Sequence, residues 1–500
     1  MDADVVIAGA GPNGLMLAAE LRLAGVQPIV LERLPEHSDE PRANGLVGQV
    51  VRMLDRRGLF ERLSGTAGPP RPQPGFVFGA MPLDLSVLED NPMYLLPVPQ
   101  RRIEEVLEER ALELGAEVRR GHELLGFTHD ADGVTVEIAG PDGAYELRTQ
   151  YLVGADGGRS VVRKLAGIDF PGVSNDSMVS RTGSAAAAYV EDGLLRIPGY
   201  GVIRPFLHHR TERGLFVWAP FPDRLPAIST GEWDVPGDGP MTFAELQESV
   251  DRVLGVHLPL SEPEGDGPRL LRRVVGGNSR LASRFRDRRA LLVGDAAHVH
   301  SAIGGPGLNL GLQDTVNLGW KLAGVLQGWA PDDLLDTYES ERRPVGERVV
   351  MSTQAQSALI APGNEVTALR SLFGEFLQDP ANIQRLANLM SGADIHYFNG
   401  PHPLTGHWAP DLLVGEQRLA ELLRTARPVL VDLLPGSPYA QSVTSERIDV
   451  AVGEGAFAML VRPDGYVAWA ASDAGDVDGL RDGLAKWFGV YERPLTSATR

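Results

Sequence analysis

Apolar residues run unbroken from Val5 through Ala8, the pattern of a strand buried on both faces. Glycines follow at Gly9, Gly11 and Gly14. Leu15 to Ala24 then carries apolar side chains at helical spacing, and Gly25 stops the helix. A second short strand, from Pro28, ends in Glu32. The same grammar recurs later. Tyr151-Leu-Val-Gly154 leads into an Asp156-Gly157 turn and a basic helix start. Ala290-Leu-Leu-Val293 leads into Gly294-Asp295 and then the glycine-rich stretch Gly304-Gly305-Pro306-Gly307-Leu308-Asn309. Beyond it the spacing predicts an amphipathic helix from Leu312 to Leu326.

Between these motifs, residues 172–272 hold short β-branched and aromatic runs punctuated by Gly and Pro. They predict a mostly antiparallel sheet, with one helix over Thr242 to Leu254. Residues 335–392 read as helical, and Gly400 to Pro410 reads as a proline-rich linker. Strand patterns then appear from Pro428 and from Phe457 to Trp469, the latter broken by a Pro463-Asp464-Gly465 turn. A helix over Val477 to Phe488 follows.

Strand, glycine turn, helix, strand and acid form the dinucleotide-binding fingerprint. Gly9 permits the tight turn, Gly11 lets backbone approach a pyrophosphate, and Gly14 allows close helix–strand packing. The helix start offers free N–H groups and its positive dipole end to phosphate. Glu32 stands where a carboxylate can accept from a ribose, which favours FAD or NAD over NADP and leaves those two open. Asp295, at a strand end, can fix sugar or ribityl hydroxyls. The glycine stretch after it can present backbone donors to an anionic group.

Composition narrows the classes. A net charge of -19 argues against nucleic-acid binding. The absence of cysteine excludes disulfides, thiolate metal sites and thiol redox chemistry, so electron chemistry must come from a cofactor. No His/Asp/Glu grouping has metal-ligand spacing; His298 and His300 are expected in packing or loop roles. No apolar run approaches the roughly 20 residues that span a bilayer, and the start lacks a signal-peptide pattern. The expectation is a soluble, cytoplasmic chain of about three domains, with homodimerisation left open.

The three Gly/Asp segments in this order, with Arg42-Ala-Asn-Gly-Leu46, Gln100 and Leu335 to Pro344, resemble the class A FAD-dependent aromatic hydroxylases of para-hydroxybenzoate hydroxylase fold. The likeness is nearest to actinobacterial enzymes that act on aromatic polyketides and rifampicin. It implies an α/β fold: a Rossmann-like FAD-binding domain, an inserted mostly antiparallel β substrate domain and a C-terminal thioredoxin-like domain. The FAD-binding domain is expected at 1–172 and, with the helical segment, at 273–395. The substrate domain is expected at 173–272, joined by 74–96, whose Gly75–Gly79 segment would add an edge to its sheet. The thioredoxin-like unit is expected at 396–500, structural or interfacial in role because it has no cysteine.

By the same resemblance the first motif (Gly9, Gly11, Gly14, Glu32) binds the ADP half of FAD, and Asp156 with Gly157 sits near the pyrophosphate. Asp295 holds the ribityl chain, Arg42 and Gln100 contact the FAD chain, and Gly305, Gly307, Leu308 and Asn309 face the isoalloxazine ring. NADPH or NADH would reduce the flavin, O2 would give a C4a-hydroperoxide, and an aromatic small molecule would be hydroxylated. Phe76, Phe78, Phe206, Phe216, Trp218 and Phe221 are candidates to wall an apolar substrate pocket. Relatives read His-Pro-Pro and Gly-Gly-Gln-Gly where this chain has His300-Ser301-Ala302 and Gly304-Gly305-Pro306-Gly307. Pro306 therefore removes one backbone donor from the flavin loop. The same fold also admits Baeyer–Villiger or epoxidising oxygenation, and FAD binding without oxygenase activity. No residue is identified as catalytic.

Overall fold

Val5, Val6 and Ile7 are wholly buried, and their strand lies inside a sheet with neighbours on both sides. The computed structural model describes residues 1–38, 43–221, 225–264 and 269–490. In chain order the elements that matter begin with β1 (Ala3–Ala8), α1 (Pro12–Leu23), β2 (Pro28–Glu32) and α2 (Gln49–Asp55). They continue with β3 (Gly75–Phe78), β4 (Met81–Asp84), α3 (Gln100–Glu113), β5 (Glu117–Arg120) and β6 (Gly143–Gly154). The inserted region holds β7 (Gly172–Ser184), β8 (Leu215–Ala219), β9 (Ala227–Trp233), α4 (Phe243–Leu254) and β10 (Leu271–Leu281). The chain then returns through β11 (Ala290–Leu292), α5 (Pro306–Leu326), α6 (Asp336–Ile360), α7 (Asn364–Phe376) and α8 (Pro380–Ser391). It closes with β12 (Val429–Asp432), β13 (Asp449–Val452), β14 (Ala458–Val461), β15 (Val467–Ala471) and α9 (Val477–Phe488).

β1 pairs in parallel with β2 on one side and β6 on the other, β6 with β11, and β2 with β5. The carboxyl ends of these strands therefore share one edge of the sheet, where open α/β sheets bind ligands. The insert is antiparallel, in the order β8-β9-β7-β10. Helix α4 covers one of its faces with Leu246, Val250, Val253 and Leu254, a helical stripe meeting Phe216, Trp218 and Ile228. Thr242 caps that helix by accepting from the Glu245 N–H at 3.2 Å.

Two expectations are corrected. β3 pairs only with β4 and adds no edge to the insert sheet. Gly79 and Ala80 both take positive φ, which suits a tight hairpin, and Phe78 turns to stack on Phe373 of α7, 6.0 Å away. The hairpin thus belongs to the helical layer of Leu359, Ile383 and Ala387. The second correction is the start of α5, which begins at Pro306 instead of Leu312. Proline suits the first helical position because its missing N–H has no intrahelical partner there, and Gly305 takes the left-handed cap at φ 68°.

The C-terminal unit is a mixed sheet, β13-β12-β14-β15, with α9 packed on it. Two adjacent arginines at the C-terminal end of α2, just beyond its last residue, dock it. Arg56 donates to Ala409 O and Gly465 O at 2.6 and 3.1 Å and lies over the Trp408 ring. Arg57 donates to Leu423 O and Pro463 O and forms a bidentate pair with Glu20 at 2.6 and 2.8 Å. Glu20 is 2% exposed, so its charge has nowhere else to go. Arg57→Met is expected to lower stability by about 3–5 kcal/mol, because it leaves a buried carboxylate uncompensated. Urea unfolding measures this, and an unchanged midpoint would refute the role assigned to the pair.

Candidate functional site

Three turns meet at the carboxyl edge of the parallel sheet. Gly9 has φ 105°, and a Cβ there would lie 2.5 Å from Ala155 O, in the turn that leads to Asp156. A Cβ on Gly14 would lie 1.9 Å from Gly9 O. These two glycines are demanded by the chain's own packing. Gly11 is different: a Cβ on it would meet nothing within 4 Å. Its surroundings are open, so a requirement for glycine there points to a bound group. Glu32 braces the turn, accepting from Ala10 N and Leu34 N at 2.9 Å each.

Asn13, in the first turn of α1, was not singled out from the sequence, yet it joins the motifs. A Cβ on Gly294 would come within 1.9 Å of its Nδ2, and one on Gly311 of α5 within 2.5 Å. The Asn13 Oδ1 is buried with no hydrogen-bond partner among the described residues. An asparagine two residues past the glycine pair is the only signal the sequence offers for it.

Asp156 caps the short helix that follows, accepting through Oδ2 from Val161 N and Val162 N at 2.6 and 3.1 Å. Its Oδ1 is buried and unpaired among the described residues, beside Gly157, which has φ 79° and open space where a Cβ would go. Arg163 ties this turn to the next, donating to Gly158 O and Ala296 O. Asp295 is exposed on the Gly294–Ala296 turn.

The Gly294 N–H donates to Asp314 of α5 at 3.2 Å, and the same carboxylate takes His298 Nε2 at 2.6 Å and Arg342 Nε at 2.7 Å. Burial pushes the Asp314 carboxyl up, but Arg342 and His298 outweigh it and hold it below its ordinary value. His298 is fully buried in this network.

The glycine stretch closes the site. Gly305 N donates to Ala302 O, and Ile303 N to Ser301 Oγ at 3.4 Å, so Ser301 and Ala302 form the turn themselves. Pro306 falls at the helix start, leaving the N–H groups of Gly307 and Leu308 in the first turn without intrahelical acceptors. Gly305 has open space where a Cβ would go, whereas one on Gly307 would touch the His300 ring at 3.4 Å. Leu308 is half-buried at the edge of the main core. Asn309 donates to Gly305 O at 2.6 Å and accepts from Val47 N at 2.9 Å. Gln100 donates to Glu104 at 2.8 Å and bonds through its own N–H to Ala43 O, at the other end of the 43–47 segment. Arg42 lies outside the described residues.

Of the aromatic candidates, Phe216 and Trp218 are core residues, 0% and 2% exposed against α4. Strand alternation turns them away from the glycine stretch. Phe76 and Phe78 pack in the helical layer. Phe206 is half exposed at φ 62°, edge-on to Phe221 at 5.5 Å. The opposite face of the insert sheet looks toward the site: Leu215, Met178 and Trp233 pack with Ile303 of the glycine stretch. The same alternation puts Ser180, Thr182, Val217, Ala219, Ala227 and Ser229 on that face. Thr182 and Ser229 share a hydroxyl–hydroxyl bond at 2.8 Å. The period-two recurrence of small and hydroxyl residues from Met178 to Ser184 was the available signal for this face.

Known proteins share this arrangement. Residues 2–353 match the FAD binding domain family, and residues 402–490 match the aromatic-ring hydroxylase C-terminal family. A 12-dehydrotetracycline 5-monooxygenase/anhydrotetracycline 6-monooxygenase of Streptomyces rimosus is 42% identical over 97% of this chain and 99% of its own. A dialkyldecalin synthase of Streptomyces rugosporus is 38% identical over 98% of this chain and 99% of its own. The solved structure of OxyS anhydrotetracycline hydroxylase from Streptomyces rimosus matches with a TM-score of 0.86 at 41% identity, covering 98% of this chain and 100% of that one.

His300 gives the site a testable pH signature. Burial pushes its imidazole down from the ordinary 6.5 to about 4, so the unfolded chain takes up the proton first. Its contribution to stability therefore declines as pH falls from about 6.5 toward about 4. Unfolding midpoints across that window should slope less in His300→Gln than in the parent protein. Identical slopes would refute the burial of a neutral imidazole.

Proposed function

Because this chain belongs to the FAD binding domain family and ends in an aromatic-ring hydroxylase C-terminal domain, we propose that it is an FAD-dependent, NAD(P)H-consuming monooxygenase that hydroxylates an aromatic polyketide or antibiotic-like small molecule. The observation that carries this reading is the meeting of three turns, Gly9 against Ala155 and Asn13 against Gly294, with a sheet face of small and hydroxyl side chains packed on the adjoining Ile303. The fit to FAD rests on the unpaired Asp156 Oδ1 and the open space at Gly11, Gly157 and Gly305.

In this reading the N-terminus of α1 and Glu32 hold the ADP half, with Asp156 near the pyrophosphate. Asp295 takes the ribityl hydroxyls, Arg42 and Gln100 contact the chain, and the α5 first turn with Leu308 and Asn309 faces the ring. Bound FAD, reduced by NADH or NADPH, would supply the activation of O2, one oxygen atom going to an electron-rich ring and the other leaving as water. The protein's own work is to bind, orient and exclude water. Ile303, Leu215, Met178 and Trp233 form the apolar seam that separates ring and substrate from solvent on one side. Ser180, Thr182, Ser184 and Ser229 supply a flat surface with hydroxyl groups for the oxygen substituents of a polycyclic ligand. The relative that acts on anhydrotetracycline supports a polycyclic substrate.

A second reading, FAD binding without oxygenase activity, is favoured by the synthase among the relatives and by Ser301 and Ala302 in the flavin loop. Oxygen uptake in the presence of NAD(P)H and a panel of polycyclic phenols separates the two. Uptake matched by a product heavier by one oxygen atom supports the monooxygenase. FAD binding with no substrate-stimulated oxygen uptake across the panel supports the second reading.

Two variants test the placement. Gly11→Ala is expected to fold with an unchanged apoprotein melting temperature, since Gly11 has φ -74° and no neighbour to clash with. Its FAD dissociation constant should rise by roughly tenfold, within the effect of about 1–3 kcal/mol that overpacking a contact produces. Ser229→Trp is expected to raise KM for the organic substrate while FAD affinity stays unchanged, as measured by flavin fluorescence titration. A parent-like FAD dissociation constant in Gly11→Ala, or a parent-like KM in Ser229→Trp, would refute the corresponding placement.

A further inference from the structure

We propose that the Arg462–Asp464 turn of the C-terminal unit is a positioning element for the flavin site, acting through the buried polar side of helix α5. The inference rests on the FAD reading above. Arg462 is fully buried, bidentate to Glu341 of α6 at 2.7 Å on both contacts, and paired with Asp464 at 3.1 and 2.5 Å. Its guanidinium lies 4.6 Å from the Trp487 ring and 5.2 Å from that of Trp320 on α5.

Asp464 accepts from Asn317 and Trp320 of α5 at 3.1 and 3.3 Å, and Glu341 accepts from Asn317 and Lys321 at 2.7 and 2.8 Å. Two cations and two carboxylates thus balance in a space from which water is excluded, and each is satisfied only if α5 keeps its height and rotation.

The next residue on α6 continues the connection. Arg342, adjacent to Glu341, holds Asp314 of α5 at 2.7 Å and Leu310 O at 3.1 Å, and Asp314 holds the N–H of Gly294 beside Asp295. The path from the C-terminal unit to the proposed ribityl residue therefore runs through charge-assisted bonds and two peptide units, Glu341–Arg342 and Gly294–Asp295. Arg56 and Arg57 already attach the C-terminal unit to the turn that follows α2. The Arg462 turn adds a separate hold on the helix whose first turn forms the flavin loop. A cysteine-free unit thereby gains a role that needs no thiol chemistry.

The test uses the full-length protein and FAD as the probe. Arg462→Met is expected to weaken FAD binding by about tenfold, the size of effect seen along coupled networks. It should also alter the visible circular dichroism of bound flavin and speed amide exchange at residues 307–312 in the apoprotein. Arg462→Lys should recover part of each change. Val431→Ala, which hollows the C-terminal core away from α5, should lower the melting temperature without moving FAD affinity or the flavin spectrum.

Parent-like FAD affinity, spectrum and exchange in Arg462→Met would overturn the inference, as would an equal loss of FAD affinity in Val431→Ala. Should Arg462→Met fail to fold, Asp464→Asn, nearly isosteric, is read against the same expectations. A parent protein that binds no FAD would instead overturn the functional reading and this inference with it.

Discussion

Helix α5 is buried along nearly all of its length and carries a polar or charged residue on almost every inward turn: Asn309, Asp314, Asn317 and Lys321. An unpaired buried charge costs several kcal/mol, about 3–5 in the cases where one partner of a buried pair is removed. Each of these groups must therefore find a partner on another segment, and each does. Asn309 takes the Val47 N–H, Asp314 takes His298, Gly294 and Arg342, and Lys321 takes Glu341. A helix so constrained has one height and one rotation in which all its obligations are met. The glycine stretch at its N-terminus, the strand-end turn at Gly294 and the C-terminal hairpin are all located relative to it.

The same logic separates two kinds of glycine. Gly9, Gly14, Gly294 and Gly311 are glycine because another part of the chain occupies the place of a side chain. Gly11 and Gly305 have no such neighbour, and they lie on the concave edge where the strand ends open. For Gly305 the left-handed φ supplies a backbone reason. For Gly11, with ordinary φ, the chain supplies none. The open edge is thus marked by a residue whose identity the protein's internal packing leaves unexplained.

The parallel strands and their turns were legible because a strand buried on both faces writes an unbroken apolar run, and a tight turn writes glycine. Fold class and the order of the motifs followed from local text. Three features were not local. The pairing of Gly75–Phe78 depended on Phe373, nearly three hundred residues away, which draws Phe78 into the helical layer. The partners of Asp314 and Lys321 lie on other elements, so neither residue's sequence neighbourhood shows a network. The facing of β8 was undetermined for a different reason. Alternation separates Phe216 and Trp218 from Leu215, Val217 and Ala219, but it does not say which set meets the site. Large aromatics bury more area against a helix than against a cleft that must admit a ligand, and the larger burial prevails.

The departures at Ser301, Ala302 and Pro306 can be understood as a redistribution of rigidity. With Ser301 and Ala302 where the family resemblance implies proline, the loop before α5 has no φ angle fixed by a ring there. It regains order from the Gly305 N–H to Ala302 O bond and from Ile303, 8% exposed and clamped among Leu215, Ile360 and Trp233. Pro306 then fixes φ at the first helical position, one residue after a left-handed glycine. Proline at the helix start removes an N–H that has no intrahelical acceptor in any case. The first turn still presents Gly307 and Leu308 as donors, and Asn309 pins its own turn to Val47. Constraint on this segment lies at the helix N-terminus and in the apolar seam under the insert sheet. The loop before α5 is held by packing against the insert sheet, so a substitution at Leu215 or Ile303 disturbs both the loop and the sheet face at once.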